Sequence, residues 1–204
     1  MPITTEQIKD LRDQTGVSIM QCKKALEEAG GDPAKALVIL RKKSGEIAAK
    51  RGDRTFGAGT VQAYVHSTGN VAAMVVLMCE TDFVSGNEEF KSLARDIAMH
   101  VTALNPKFLS KEDITEQDRA TAKEVFLNEI KDQLQNKPKE IQQQMQDKIL
   151  EGKLATYFGE MVLLDQPFIK NTEMTIQAMI DSAVQKFGEK IAIARFSRFS
   201  AIER

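Results

Sequence analysis

The sequence predicts an α+β fold: a small N-terminal bundle of three helices, then a core with a small antiparallel sheet packed by helices. Three observations carry this expectation. The first 44 residues are punctuated three times by helix-start and helix-stop signals. Two strand-like segments flank the turn Ser67-Thr68-Gly69-Asn70. Segments 87–103 and 175–187 each carry a clean apolar stripe at helical spacing.

Thr4 and Gln7 form a capping-box pattern, with Ile3 and Ile8 placed as a hydrophobic staple, and Thr15-Gly16 stops that helix. Ser18 and Gln21 repeat the device, and Gly30-Gly31 ends the second helix. Asp32-Pro33 opens a third, with Ala36, Leu37 and Leu40 inward and Ser44-Gly45 as its close. Residues 45–58 read as a basic, partly helical linker, so the chain divides into a domain over 1–54 and a core over 55–204.

In the core, Val61, Ala63 and Val65 alternate with Gln62, Tyr64 and His66, a half-buried strand pattern. Val71 to Met78 is an unbroken apolar run, expected as a buried strand. Phe90, Leu93, Ala94, Ile97, Ala98 and Val101 line helix 87–103, which Asn105-Pro106 ends. Ala122, Phe126, Ile130 and Leu134 line helix 115–135. Lys137-Pro138 breaks it, and a further helix carries Ile141, Met145 and Ile149 to Gly152, with Gln142, Gln143, Gln144 and Gln146 outward. A short strand is expected over Tyr157 to Leu164. Helix 175–187 follows, ended by Gly188, and Ile191 to Phe199 is the last strand.

Composition narrows the function. The longest apolar stretch, Val71 to Cys79, is too short to span a membrane. The start lacks the basic and apolar regions of a secretory signal, so a cytoplasmic protein with reduced Cys22 and Cys79 thiols is expected. Only two histidines, His66 and His100, leave little for a zinc site, and His100 is expected as a packed or hydrogen-bonded residue. A net charge of −1 does not recruit nucleic acid globally. Residues 1–54 carry 11 Lys and Arg against 8 Asp and Glu, a local excess that a solvated helix face or linker explains. There is no P-loop, no His-Glu-x-x-His, no Gly-x-Ser-x-Gly and no Cys-x-x-Cys, and Gly57-Ala58-Gly59 precedes a strand rather than following one. The chain is expected to be a binder rather than an enzyme, with no catalytic residue, metal ligand or cofactor.

The most informative stretch is Cys79-Glu80-Thr81-Asp82-Phe83-Val84, an acid and a large aromatic side by side where a strand gives way to a helix. From these residues alone two readings stand. Either Phe83 tucks into the core and Asp82 caps a turn, or both project to a partner.

A second segment favours the latter. Leu11-Arg12-Asp13-Gln14-Thr15-Gly16 followed by Met20-Gln21-Cys22-Lys23-Lys24-Ala25-Leu26 resembles the N-terminal signature of the translation elongation factor Ts family. Cys79 to Val84 resembles its second signature. Ala98-Met99-His100-Val101, Ile149-Leu150-Glu151-Gly152-Lys153, Gln166-Pro167-Phe168-Ile169, Gly188-Glu189-Lys190-Ile191 and Arg195-Phe196-Ser197-Arg198-Phe199 extend the resemblance in family order. Val17-Ser18, Ile19 and Gln21 depart from the family pattern.

The resemblance implies a guanine-nucleotide exchange factor for elongation factor Tu, binding its GDP-bound and nucleotide-free forms. It implies a ubiquitin-associated-like N-terminal bundle whose Arg12, Met20 and Lys23 dock on the partner. It also implies a loop, Thr81, Asp82, Phe83 and Val84, that intrudes beside the partner's Mg²⁺ and phosphate site. The chain resembles the compact members with one core subdomain, for which a homodimer is expected, with the last strand as a candidate for pairing. Two alternatives remain: a helical adaptor with Phe83 buried, and an RNA binder using Arg41 to Arg54 with Arg195 and Arg198.

Overall fold

Side-chain caps decide where the N-terminal helices begin. In the computed structural model, which describes residues 3–134 and 139–202 and their side chains outside 131–144, α1 (Thr5–Thr15) opens on Thr4. The Thr4 hydroxyl accepts the Gln7 N–H at 3.2 Å, and the Gln7 side chain accepts the Thr4 N–H at 3.0 Å. Gly16, at φ 67°, closes α1 by donating its N–H to the Arg12 carbonyl. Ser18 caps α2 (Ile19–Glu28), and Asp32 caps α3 (Pro33–Lys50) by accepting the N–H groups of Ala34 and Lys35. Leu11, Val17, Cys22, Ala25, Leu26, Ala36 and Leu40 form the bundle's buried core.

The third helix is longer than expected. It passes through Ser44-Gly45 and ends at Lys50. Ser44 is buried, with its hydroxyl within hydrogen-bond reach of the Leu40 carbonyl and of the Gln185 side-chain oxygen. Packing of α3 along α8, together with the helix formers Ala48 and Ala49, carries the helix past the glycine.

The chain then forms β1 (Ala58–Val65), β2 (Val71–Cys79), α4 (Asp82–Ser85) and α5 (Glu88–Leu104). After α6 (Glu116–Leu134) and α7 (Lys139–Met161) come β3 (Pro167–Phe168), β4 (Asn171–Thr175), α8 (Ile176–Phe187) and β5 (Ala192–Ser200). The fold is α+β. Two compact units emerge: Met1–Ala103 together with Phe168–Arg204, and Leu104–Pro167. The expected division between residues 54 and 55 falls inside the first unit, where α3 packs along α8. Arg41 there reaches the Glu173 carbonyl at 3.1 Å.

The main sheet is antiparallel, in the order β1-β2-β5. One face of β2 (Ala73, Val75, Leu77 and Cys79) is fully buried. The stripes of α5 (Phe90, Ala94, Ile97, Ala98 and Val101) and α8 (Ile176, Ile180, Ala183 and Val184) are buried as well. Phe90 meets Phe187 edge-on at 5.9 Å, and Arg198 of β5 donates to the Thr102 carbonyl of α5 at 3.0 Å. His100 is buried as expected, with its Nδ1 accepting the Ile169 N–H at 3.3 Å.

The second strand is not buried on both faces: Met74 is 46% exposed. Nor do the apolar residues of β1 point inward. Gln62 pairs with Val75 and Tyr64 with Ala73, and cross-strand partners share a face. The polar residues are therefore half-buried, and Val61, Ala63 and Val65 lie outside with Ala72, Met74, Val76 and Phe199.

In the second unit α6 and α7 pair through Ala122, Ile130, Leu150 and Phe158, with Phe126 edge-on to Tyr157 at 5.4 Å. The expected strand over Tyr157 to Leu164 is instead the last turns of α7 and a short 3-10 turn, Leu163–Asp165. Its aromatic and β-branched residues mimic a strand pattern, but packing of Tyr157 and Phe158 on α6 and Phe108 holds them helical. Only an isolated bridge between Phe108 and Val162 is strand-like. The Lys137-Pro138 break and the side chains of Leu134, Ile141 and Gln142 to Gln144 lie outside the described residues.

Candidate functional site

The end of β2 delivers the chain to a single helical turn. Cys79 closes the buried strand face, and Thr81, in extended conformation, caps α4 by accepting the Val84 N–H at 3.4 Å. The turn separates its two apolar residues. Val84 points inward and is 3% exposed, whereas Phe83 stands 84% exposed. Thr81 and Asp82 are also exposed. The reading in which Phe83 tucks into the core is thereby corrected: the one-turn helix turns Val84, not Phe83, toward the interior.

The backbone before the turn is held by charge. The Glu189 carboxylate accepts the N–H groups of Glu80 and Thr81, each at 3.0 Å, and the Thr81 hydroxyl at 2.6 Å. Glu80 in return accepts the Lys190 N–H at 2.6 Å and the Arg54 guanidinium at 3.2 Å. The Lys190 N–H, and after it Arg54, hold the Glu80 carboxyl below the usual carboxylate range. The Lys190 ammonium donates to the carbonyls of Gly52 and Arg54 and lies 4.5 Å from the Phe56 ring centroid. Gly57 completes the junction, since a Cβ there would stand 2.6 Å from the Glu80 carbonyl oxygen.

Sequence reasoning singled out Gly188-Glu189-Lys190-Ile191 as a motif without seeing this network. Glu189 and Thr81 are 108 positions apart, beyond the reach of any local period.

The N-terminal candidates lie on the bundle surface. Arg12 is exposed in the last turn of α1, and Met20, 82% exposed, and Lys23 sit three residues apart on one side of α2. Lys23 faces Glu27 at 3.9 Å. Ile19 and Val38 add exposed apolar side chains on α2 and α3.

Cys79 is buried, and burial, followed by the Glu189 carboxylate, pushes its thiol up, away from nucleophilic use. The loop is a protrusion. A cleft of about 350 Å³ is lined by other residues, among them Leu40, Arg41, Ser44, Glu173 and Met174. Several cations of the basic segment face carboxylates, as in Lys43–Glu28, Arg41–Glu173 and Arg54–Glu80. Among the described residues no helix is long and apolar enough to cross a membrane.

The elongation factor TS family model matches residues 18–203. The chain is 46% identical over 199 residues to elongation factor Ts of Thermodesulfovibrio yellowstonii, covering 98% of this chain and 96% of the relative. It is 44% identical to that of Leptospira biflexa over 98% of both chains. With that of Thermosipho melanesiensis it shares 41% identity over 98% of this chain and 100% of the relative. This chain belongs to the elongation factor Ts family.

Proposed function

We propose that this chain is a guanine-nucleotide exchange factor for elongation factor Tu, acting in the cytoplasm. It binds Tu·GDP, disturbs the Mg²⁺ and phosphate site and lets GDP leave so that GTP can bind. The observation that carries this reading is Phe83, 84% exposed on a turn fixed by Val84 inside and Glu189 beneath. A large apolar side chain on a pinned turn is suited to enter another protein and shift its packed elements discretely. Asp82, exposed beside it, competes for the groups that hold the partner's Mg²⁺ environment. Val84 serves as the anchor of the turn rather than as a contact.

GDP is held largely by Mg²⁺ and by backbone N–H groups around its phosphates. Disturbing the ion leaves the diphosphate poorly neutralised. No covalent bond is made or broken, so the protein is not an enzyme in the usual sense and needs no cofactor. The factor binds nucleotide-free Tu better than Tu·GDP, and by reciprocity it weakens GDP binding. Lowering the release barrier by about 4 kcal/mol gives roughly a thousandfold acceleration. Arg12, Met20 and Lys23 supply docking contacts from the bundle, residues 1–54, while residues 55–204 present the loop.

Stopped-flow release of a fluorescent GDP analogue from Tu tests this. Large acceleration by the wild type and little by a folded Phe83→Ala variant supports it. No acceleration by the wild type with a matched Tu sinks it. The helical-adaptor alternative required a buried Phe83, which its exposure does not favour.

A second reading concerns a homodimer. The outer sheet face presents Val61 and Val65, 57% and 62% exposed, with Met74 and Phe199, and no carboxylate lies among its residues. The face is largely apolar, with Arg195 at its β5 side as a charged residue, and a second copy is the partner that matches the apolar part of it. Phe199 brings the last strand into this surface. A monomeric mass at micromolar concentration in light scattering would count against it.

A further inference from the structure

Phe83 is so exposed that its own side chain gains little restraint from the rest of the chain. Its direction is therefore set by the backbone of α4, and that turn has two anchors. One is Val84, buried beneath it. The other is Thr81, whose hydroxyl accepts the Val84 N–H while donating to Glu189 at 2.6 Å. Glu189 also accepts both N–H groups that lead into the turn, those of Glu80 and Thr81.

All three of these bonds from Glu189 reach the two residues in front of α4. Glu189 stands immediately after Gly188, whose left-handed φ of 74° ends α8. The chain therefore leaves the helix in a direction that brings the carboxylate under the loop. The next residue returns the tie, with the Lys190 N–H donating to Glu80 at 2.6 Å. Two successive residues after α8 thus hold two successive residues before α4, each pair through a carboxylate and backbone N–H groups. Charge-assisted bonds of this kind are short and directional, and they fix a backbone without burying it.

We propose that Glu189 is a positioning residue for nucleotide release: it holds the Glu80–Thr81 backbone so that Phe83 is presented on a preformed turn. This rests on the reading of Thr81–Val84 as the release loop. Glu189 itself touches no reacting group. Its effect is pre-organisation: a turn already formed spends none of the docking energy on ordering itself, so more of that energy reaches the partner's nucleotide site. Docking through the bundle does not use this carboxylate. Loss of Glu189 therefore lowers the maximal release rate more than it raises the factor concentration needed for half-maximal effect.

The test combines two measurements on Glu189→Ala and Glu189→Gln in the full chain. The first is stopped-flow release of a fluorescent GDP analogue from Tu, titrated with factor. The second is hydrogen exchange of the Glu80 and Thr81 amides in the free protein. For Glu189→Ala we expect a maximal rate lower by about tenfold, a half-maximal concentration within about threefold of wild type, and amides exchanging about tenfold faster. The Gln variant keeps an oxygen for the two N–H groups and is expected within about threefold of wild type on all three readouts. A merely destabilised protein would instead lose protection throughout the core. Wild-type maximal release by Glu189→Ala overturns the proposal. So does a loss accompanied by unchanged protection of the two amides. If the wild type itself fails to accelerate release, the functional reading falls, and the Glu189 role with it. If the wild type accelerates and the Ala variant equals it, only the role of Glu189 falls.

Discussion

The loop at 80–84 and the outer face of the β1-β2-β5 sheet both expose apolar side chains, but in opposite ways. The loop exposes one, Phe83, on a turn tied down from outside by Glu189, which accepts from its backbone, and by the Lys190 N–H and the Arg54 guanidinium, which donate to Glu80. The sheet exposes several, among them Val61, Val65, Met74 and Phe199, spread over a ladder whose strands are joined by backbone bonds. A single pinned side chain can act as a wedge, because it concentrates contact at one point of a partner. A broad plane cannot enter anything, but it can be covered. The same hydrophobic chemistry therefore supports two different kinds of interaction, and the difference lies in what fixes the backbone beneath it.

The sharpest way to break this comparison is at phenylalanine. Phe83 and Phe90 are seven positions apart, one exposed and the other fully buried against Phe187. Phe83→Ala is expected to slow factor-driven GDP release roughly a hundredfold, which is about 2.7 kcal/mol of barrier, and to leave the melting temperature in place. Phe90→Ala is expected to cost about 3–5 kcal/mol of folding stability through lost burial and cavity formation. Its release activity falls only with the folded fraction. A melting temperature lowered by Phe83→Ala would show that the ring belongs to the core after all.

The sheet face is sharpened by charge. Val65→Lys or Met74→Lys places an ammonium on a face that holds no carboxylate to receive it. Each is expected to weaken self-association by at least about tenfold, since an unpaired charge resists burial in an apolar contact. Sedimentation or light scattering over a concentration series reads this directly. Release activity per chain is expected to persist, because neither residue contributes to the loop. An unchanged mass would remove the second copy as the cover of this face.

The two regions also differ in how far the sequence alone reveals them. Capped helices were legible because their signals are local: Thr4 with Gln7, Asp32 with Pro33, and Thr15-Gly16 all act within four residues. The stripe from Phe90 to Val101 was legible for the same reason. Which face of β1 lies inward was not, because that is decided by register with β2, where Gln62 opposes Val75. Tyr157 to Leu164 misled because aromatic and β-branched residues suit a strand locally, and only their packing on Phe126 and Phe108 makes them helical. At the loop, the residue types and the family motif were readable. The outward Phe83 and inward Val84 depend on the one-turn helix that Thr81 caps, and its tie to Glu189 joins segments more than a hundred positions apart.

The smallest effect, and the one that separates the two regions most cleanly, is acid. Glu80 is ionised at neutral pH, and its carboxyl lies below the usual range, first because it accepts the Lys190 N–H and then because of Arg54. A carboxylate depressed in the folded state contributes stability that is fully present above its unfolded pKa. That contribution is lost as pH falls through the lower, folded value. Near pH 7 no pH dependence from Glu80 is therefore expected. Below the ordinary carboxylate range, protonation frees the Lys190 N–H and weakens the Arg54 pair, so the Lys190 amide should exchange faster than the base-catalysed trend predicts. Glu80→Gln should remove that extra acid sensitivity while retaining an oxygen for the N–H. The outer sheet face has no carboxylate, so self-association should hold across the same window. Exchange at Lys190 and molecular mass measured on the same pH series would tell the two apart. If both changed together, the loop and the sheet would have to share one acid-sensitive support, and the distinction between a point held by charge and a plane held by backbone would fail.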